Sequence, residues 1–185
     1  MSKPKHLIQS YSPDKDSILT FDTNILINLF HAVDYNGAYD SYSEFYEKAK
    51  KLGSTLIISS IQISEFINRC IRLQFDLYKK DQGTPELDFK RDYRSTDDYR
   101  DNMNSILDTI KCEIIPNFTF KSDAFDTMQT ENIFLYGFSY DFNDAFIFEF
   151  SRYYGAVLVT HDGDYANYGS KVEMVTNNRA LIRFS

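Results

Sequence analysis

Cysteine, histidine and proline are scarce in this chain of 185 residues, which carries two, three and four of them. Cys70 and Cys112 stand too far apart for a metal or redox spacing, and so few histidines leave a zinc site of Cys and His ligands poorly supported. Both thiols are therefore expected to be packing residues, the usual lot of a free cysteine. Long apolar runs are also missing. None approaches the roughly 18 residues a membrane span needs, so no membrane partner is expected. The opening stretch MSKPKHLIQSYSPDKDS has no apolar core of the secretory kind, which makes the cytoplasm the expected location. Positive charge is in deficit: 20 Lys and Arg stand against 27 Asp and Glu, a net of −7. The deficit counts against a nucleic-acid partner, whose phosphates are met by Lys and Arg. It counts only in part, because carboxylates that hold divalent cations add to the negative total while the cations reverse the sign locally.

What is present is a globular composition, 43% hydrophobic, 16% aromatic and 25% charged, without repeats or low-complexity tracts. The length suits one domain. Residues 1–16 are polar, with Pro4 and Pro13, and read as an N-terminal arm with little structure of its own; residues 17–185 read as a single domain. Strand-like runs are expected at Ser17–Phe21, Ser54–Ile58, Cys112–Ile115, Ala156–Thr160 and Lys171–Val175. Between them lie helical patterns. One follows Asp22 with Ile25, Leu26, Leu29 and Phe30, and a second runs over Gly37–Leu52 and ends at Gly53. A third opens at Ser59 or Ser60 with Ile63, Phe66, Ile67, Cys70 and Ile71 in phase. A short helix is expected from Ser122 or Asp123 through Met128, then a connector over Thr130–Tyr140. The last helix, from about Asp141 to Tyr154, has hardly any polar face and must be buried on most sides, with Gly155 closing it. Strands alternating with helices predict a parallel α/β sandwich.

Residues 79–104 make the strongest shift in composition. They read as a charged insertion or flap, with too few apolar residues for a core. Lys79, Lys80, Lys90, Arg91, Arg94 and Arg100 interleave with Tyr78, Phe89, Tyr93 and Tyr99, a pattern that suits phosphates and bases. A solvated helical excursion is the plainer reading.

The acids gather at junctions. Asp22 directly follows a strand, Asp141 and Asp144 open a helix where its dipole favours anions, and Asp162 with Asp164 follows the next strand. Crevices beyond the carboxyl ends of strands are where open α/β sheets bind ligands. Glu65 lies in the opening turns of the third helix; on the plain reading it is a surface partner of Arg69. Acids gathered at one edge repel by about 4 kcal/mol per pair at 4 Å and an effective dielectric of 20. No Lys or Arg adjoins Asp22, Asp144 or Asp162 in sequence, and hard carboxylate oxygens suit Mg²⁺ or Mn²⁺. Such an ion lowers the pKa of its water for attack on a phosphodiester.

FDTNIL at Phe21–Leu26, the Glu of SEF at Ser64–Phe66, NDAFI at Asn143–Ile147 and VTHDGDY at Val159–Tyr165 resemble, in order, the four acidic motifs of the PIN-domain nucleases, the VapC-like ribonucleases among them. The resemblance implies a PIN-like three-layer α/β/α sandwich with a central, mainly parallel sheet. It implies a Mg²⁺- or Mn²⁺-dependent endoribonuclease acting on RNA, single-stranded by expectation, often the toxin of a toxin–antitoxin pair and so with an antitoxin partner; a homodimer is a further expectation. Position by position, Asp22 and Asp144 would be the principal metal ligands, and Glu65 would complete the set or hold a water. Asp162 would be the fourth acid, Asp164 a metal partner at a second site or in the outer shell, and Asn24 and Thr160 would orient these groups through hydrogen bonds. Asp141 is an extra acid, suited equally to helix capping and to metal contact. Two rivals stand beside this reading. A haloacid-dehalogenase-like phosphatase would use Asp22 and Ser59, but it needs an acid where Asn24 stands. A non-catalytic PIN-like module binding RNA or protein would be expected to have lost its acids. His161 is left out, because a lone strand-end histidine is more often a surface residue.

Overall fold

The computed structural model describes residues 3–31, 39–135, 141–168 and 171–183. Six strands form one sheet: β1 (Lys5–Leu7), β2 (Ile18–Phe21), β3 (Thr55–Ile58), β4 (Thr119–Phe120), β5 (Val157–Val159) and β6 (Met174–Thr176). Their order is β1-β6-β5-β2-β3-β4 and every pairing is parallel. A parallel sheet needs cover on both faces. Its side chains divide accordingly: Leu19, Phe21, Leu56, Ile58, Val157 and Val159 join one hydrophobic cluster, and Ile57, Leu158 and Met174 the other. The first cluster is covered by α1 (Thr23–Phe30), α2 (Asp40–Lys51) and α3 (Ser60–Asp81). The second is covered by α7 (Phe142–Tyr154), whose Ala145, Phe146, Ile147, Phe148 and Phe150 are all buried. The three-layer α/β/α sandwich is therefore the observed fold. No helix among the described residues is long and apolar enough to cross a membrane.

Several sequence expectations are corrected. The polar N-terminal arm is not without structure: β1 lies along β6, Ile8 is buried in the following 3-10 turn, and His6 Nε2 meets Glu173 Oε1 at 2.8 Å. Pairing there covers what would otherwise be an open sheet edge. Cys112–Ile115 is not a strand. Ile106, Ile110 and Ile114 recur every fourth residue and are buried, so the helical phase of α4 (Asp97–Thr109) continues through a π-helical turn to the short α5 (Ile115–Asn117), and the strand forms only beyond Pro116. The helix expected from Ser122 is a turn, because the Asp123 carboxylate is spent on the start of α3, accepting from the backbone N–H and hydroxyl of Ser60. The next helix is α6 (Thr130–Ile133), inside the expected connector; residues 136–140 of that connector, and the start expected for the second helix at Gly37, lie outside the described residues. β6 starts three residues later than the expected run Lys171–Val175, and the helix α8 (Arg179–Arg183) follows it. Cys70 is buried as expected, whereas Cys112 is exposed.

A further correction concerns residues 79–104. They are packed. Phe89 and Tyr93, in a π-helical turn over Phe89–Tyr93, join the main core with Phe75 of α3. Tyr78 and Tyr99 pack against them, Tyr93 lying 5.0 Å from Tyr78 and 5.5 Å from Tyr99. The Tyr93 hydroxyl donates to Asp98 at 2.7 Å. Counting apolar residues missed this because aromatic rings supply the burial while their neighbours in sequence carry the charge.

Candidate active site

Strands β2 and β5 are neighbours in register, Phe21 opposite Val159, so the residues after them meet at the carboxyl edge of the sheet. Asp22 N donates to Val159 O at 2.9 Å, which fixes that junction. Asp22 occupies the cap position of α1 and receives Ile25 N and Leu26 N on its backbone oxygen, but its carboxylate does no capping. One carboxylate oxygen accepts instead from Thr160 Oγ1 at 2.9 Å, and Thr160 Oγ1 in turn accepts from Asp162 N at 3.0 Å. A single buried hydroxyl thus ties two acids from distant segments together. Asp164 N donates to Asp162 Oδ1 at 2.8 Å, while the Asp164 side chain itself is exposed.

The third segment arrives on α3. Its start is closed by a capping box between Ser59 and Gln62 and is pinned to β2 by Gln62 Nε2, which donates to Phe21 O at 2.7 Å. One turn on, Glu65 is oriented from both sides: Thr23 Oγ1 donates to Oε2 at 2.9 Å and Arg69 Nη1 approaches Oε1 at 3.4 Å. The expected ion pair with Arg69 and the inward orientation are both present. The fourth segment is the first turn of α7. Asp141 is its cap, accepting Asn143 N at 2.7 Å, so helix capping is what its carboxylate does in this structure. Asp144, one turn in, receives Tyr165 OH at 3.5 Å.

The electrostatics show that these acids face one another. Burial pushes the Asp22 carboxyl up to about 7, with Asp162 and Glu65 adding to the rise and the Thr160 hydrogen bond and Arg69 opposing it. Asp144 is pushed up to about 8, first by burial and then by Asp22, Asp141, Asp162 and Glu65. Tyr165, fully buried beneath the same acids, is raised well above its ordinary value for the same reasons. Asp22, Glu65, Asp144 and Asp162 therefore share one field, from four separate stretches of chain. Asn24 stands apart. Its side chain lines a cleft between α1 and α3 and makes no hydrogen bond to an acid among the described residues, so of the two expected orienting residues only Thr160 does that work here.

Sequence reasoning missed the second rank of contacts. Tyr42, wholly buried on α2, accepts from Asn177 N at 2.7 Å, and its hydroxyl lies 3.1 Å from Thr160 O and 3.0 Å from His161 Nδ1. It locks the loop that carries Asp162. Tyr39 packs on His161 at 5.2 Å between ring centroids, and its hydroxyl is held protonated by burial and by the nearby charges of Asp22 and Asp162. Thr23 and Tyr165 were missed as well, since nothing in a local pattern shows a partner 42 or 21 residues away.

A divalent ion suits this donor set. Excess carboxylate with Arg69 as its adjoining cation, itself committed to Glu65, leaves a proton or a metal to neutralise Asp22 and Asp144. Among the described residues no three acidic, His or Cys side chains close into a metal cage. Mg²⁺ does not ask for one: it keeps several waters and is held through one or two carboxylates.

Acids from four segments thus meet at one strand-end edge of a parallel α/β sandwich. The sequence matches the PIN domain over residues 19–171, and the chain belongs to the PIN domain family. The family is typically one of nucleases, and these generally use divalent metal ions. Among solved structures the chain is similar to VapBC2 from Rickettsia felis, captured with a DNA fragment from its promoter; identity is 19%, the match covers 86% of this chain and 98% of that one, and the TM-score is 0.49. No curated protein sequence matches the chain.

Proposed function

We propose that this protein is a Mg²⁺- or Mn²⁺-dependent endoribonuclease that cuts single-stranded RNA in the cytoplasm. The observation that carries the reading is the meeting of Asp22, Glu65, Asp144 and Asp162 at one edge with too little positive charge to balance them. A divalent ion held there would lower the pKa of a water it binds and neutralise charge on the phosphate under attack. The chain's own residues do the rest. Thr160 and Tyr165 fix the oxygens of Asp22 and Asp144, Thr23 and Arg69 aim Glu65, and burial keeps bulk water from Asp22. Until a cation arrives, Asp144 mostly keeps its proton at neutral pH, while Asp22 is midway through its titration. Asp164, exposed beside Asp162, is an outer partner on this reading, and Asp141 serves through the α7 cap.

The phosphatase rival has lost its footing. Ser59 is buried and spends its hydroxyl on Gln62, so it cannot meet a phosphate. A toxin role, a neutralising antitoxin and a homodimer belong to the same reading and are tested by co-expression with the product of any adjacent small reading frame.

Purified protein incubated with single-stranded RNA should cut it with Mn²⁺ and not with EDTA. Asp22→Asn or Asp144→Asn should lower the rate about a hundredfold or more. Equal cleavage by wild type and Asp22→Asn would assign the activity to a contaminant and end the proposal; binding without cleavage by either would point to a non-catalytic module.

A further inference from the structure

The charged hairpin of α3 and α4 does not offer its rings to bases, because they pack on one another, and three of its cations are committed to carboxylates. Lys79 pairs with Asp76 at 2.8 Å, Arg91 with Asp92 at 2.7 Å and Arg100 with Asp97 at 2.7 Å. Arg72 is held by a ring instead. Its guanidinium carbon lies 3.8 Å from the centre of the Phe89 ring, closer than the 5.4 Å of Arg94 over the same ring, and it meets no carboxylate among the described residues. Phe89 is itself wedged by Phe75 at 5.4 Å and Tyr93 at 5.8 Å, so the ring is a fixed platform. Stacking of this kind holds the guanidinium plane while leaving its N–H donors for another partner.

Arg72 and Arg69 line a cleft of about 350 Å³ between α1 and α3, with Asn24, Asn28, Ile27 and Leu73. The acid in this cleft, Asp76, is taken up by Lys79. Asn24 is two residues from Asp22 and Arg69 is paired with Glu65, so the cleft opens beside the acid cluster. With Arg69 spent on Glu65 and Asp76 on Lys79, Arg72 is the cation of its lining left without a carboxylate among the described residues. Asn28 Nδ2 is bonded to Asn24 O at 2.8 Å, which leaves the Asn28 side-chain oxygen as an acceptor, while Leu73 presents apolar surface. Phosphates on one side, a hydroxyl to donate and an apolar ring face are what a ribose–phosphate strand brings.

We infer that the α1–α3 cleft is the track for the sugar–phosphate backbone of single-stranded RNA next to the point of cleavage, with Arg72, stacked on Phe89, as its phosphate clamp. The inference rests on the nuclease reading for its orientation but is tested by binding alone. In the Asp22→Asn background with EDTA, fluorescence anisotropy with a short labelled single-stranded oligoribonucleotide is followed across a salt series. Arg72→Ala should weaken binding about five- to tenfold at low salt and flatten the slope of log affinity against log salt by about 0.7, the share of one single-strand phosphate contact. Arg72→Lys should keep the slope and still lose affinity, because the charge remains while the stacked fork is gone. Lys51→Ala, an exposed cation in the last turn of α2 ahead of the opposite end of β3, should change neither. Wild-type affinity and slope in Arg72→Ala overturn the inference and leave the cleft to a protein occupant. Loss of both in Arg72→Ala, in a protein that cuts no RNA with any divalent ion, sustains the cleft and overturns the nuclease reading instead.

Discussion

Asp22 occupies a helix cap position without capping, and that choice shapes the chemistry of the whole edge. A carboxylate spent on the amides of α1 would be held near its ordinary acidity; one turned to Thr160 in a buried place is pushed up to about 7. Asp144 reaches about 8 beside it. Both folded values lie above the 3.8 of an ordinary aspartate, so the folded chain keeps protons that the unfolded chain releases. Stability from these two groups is complete below 3.8 and is lost as pH rises through about 7 and about 8. Without divalent ions, the melting temperature of the wild type should therefore fall across that window relative to Asp22→Asn, which should be the more stable of the two at pH 8 by several degrees. Melting curves with the same pH dependence in both proteins would remove the assigned shift. Thr160→Val tests the hydroxyl between the acids. It leaves Asp162 N without its acceptor, at a cost of about 1–3 kcal/mol, and removes the bond that holds the Asp22 value down, so the pH profile of RNA cleavage should move to higher pH. An unmoved profile would make Thr160 a packing residue only.

At the scale of elements, what was legible followed from local rules. Asp22, Asp144 and Asp162 could be placed because each sits at a strand end or a helix start with an apolar run on one side, and Gly155 could be read as a helix stop, where it adopts φ +63°. What escaped notice depends on partners far along the chain. Tyr42 reaches Thr160 from 118 residues away, and β1 exists because β6 lies beside it. The charged stretch over residues 79–104 shows the same limit: its few rings meet Phe75, and composition alone cannot show that they are enough. Its packing has a direct consequence. Tyr93 is fully buried, so Tyr93→Ala should destabilise the protein by about 3–5 kcal/mol in urea unfolding. A loss near zero would return this hairpin to the solvated excursion suggested by its charge.

For the molecule as a whole, the parallel order β1-β6-β5-β2-β3-β4 puts every strand end on one side, and the acids follow the neighbouring strands β2 and β5 and the starts of α3 and α7. Asp22, Glu65, Asp144 and Asp162 gather their charge at that edge, and the described structure supplies Arg69 there, already bound to Glu65. Holding such a site ready costs the ion-free protein stability and makes it responsive to metal. The most direct measurement is the melting temperature at pH 8 with and without Mn²⁺, wild type beside the Asp22→Asn, Asp144→Asn double variant. At a hundredfold excess over the dissociation constant, Mn²⁺ should stabilise the wild type by about 2.7 kcal/mol, a rise of about 5–10 °C, and leave the double variant unchanged. The same rise in both proteins, or none in the wild type, would contradict a metal site at these acids.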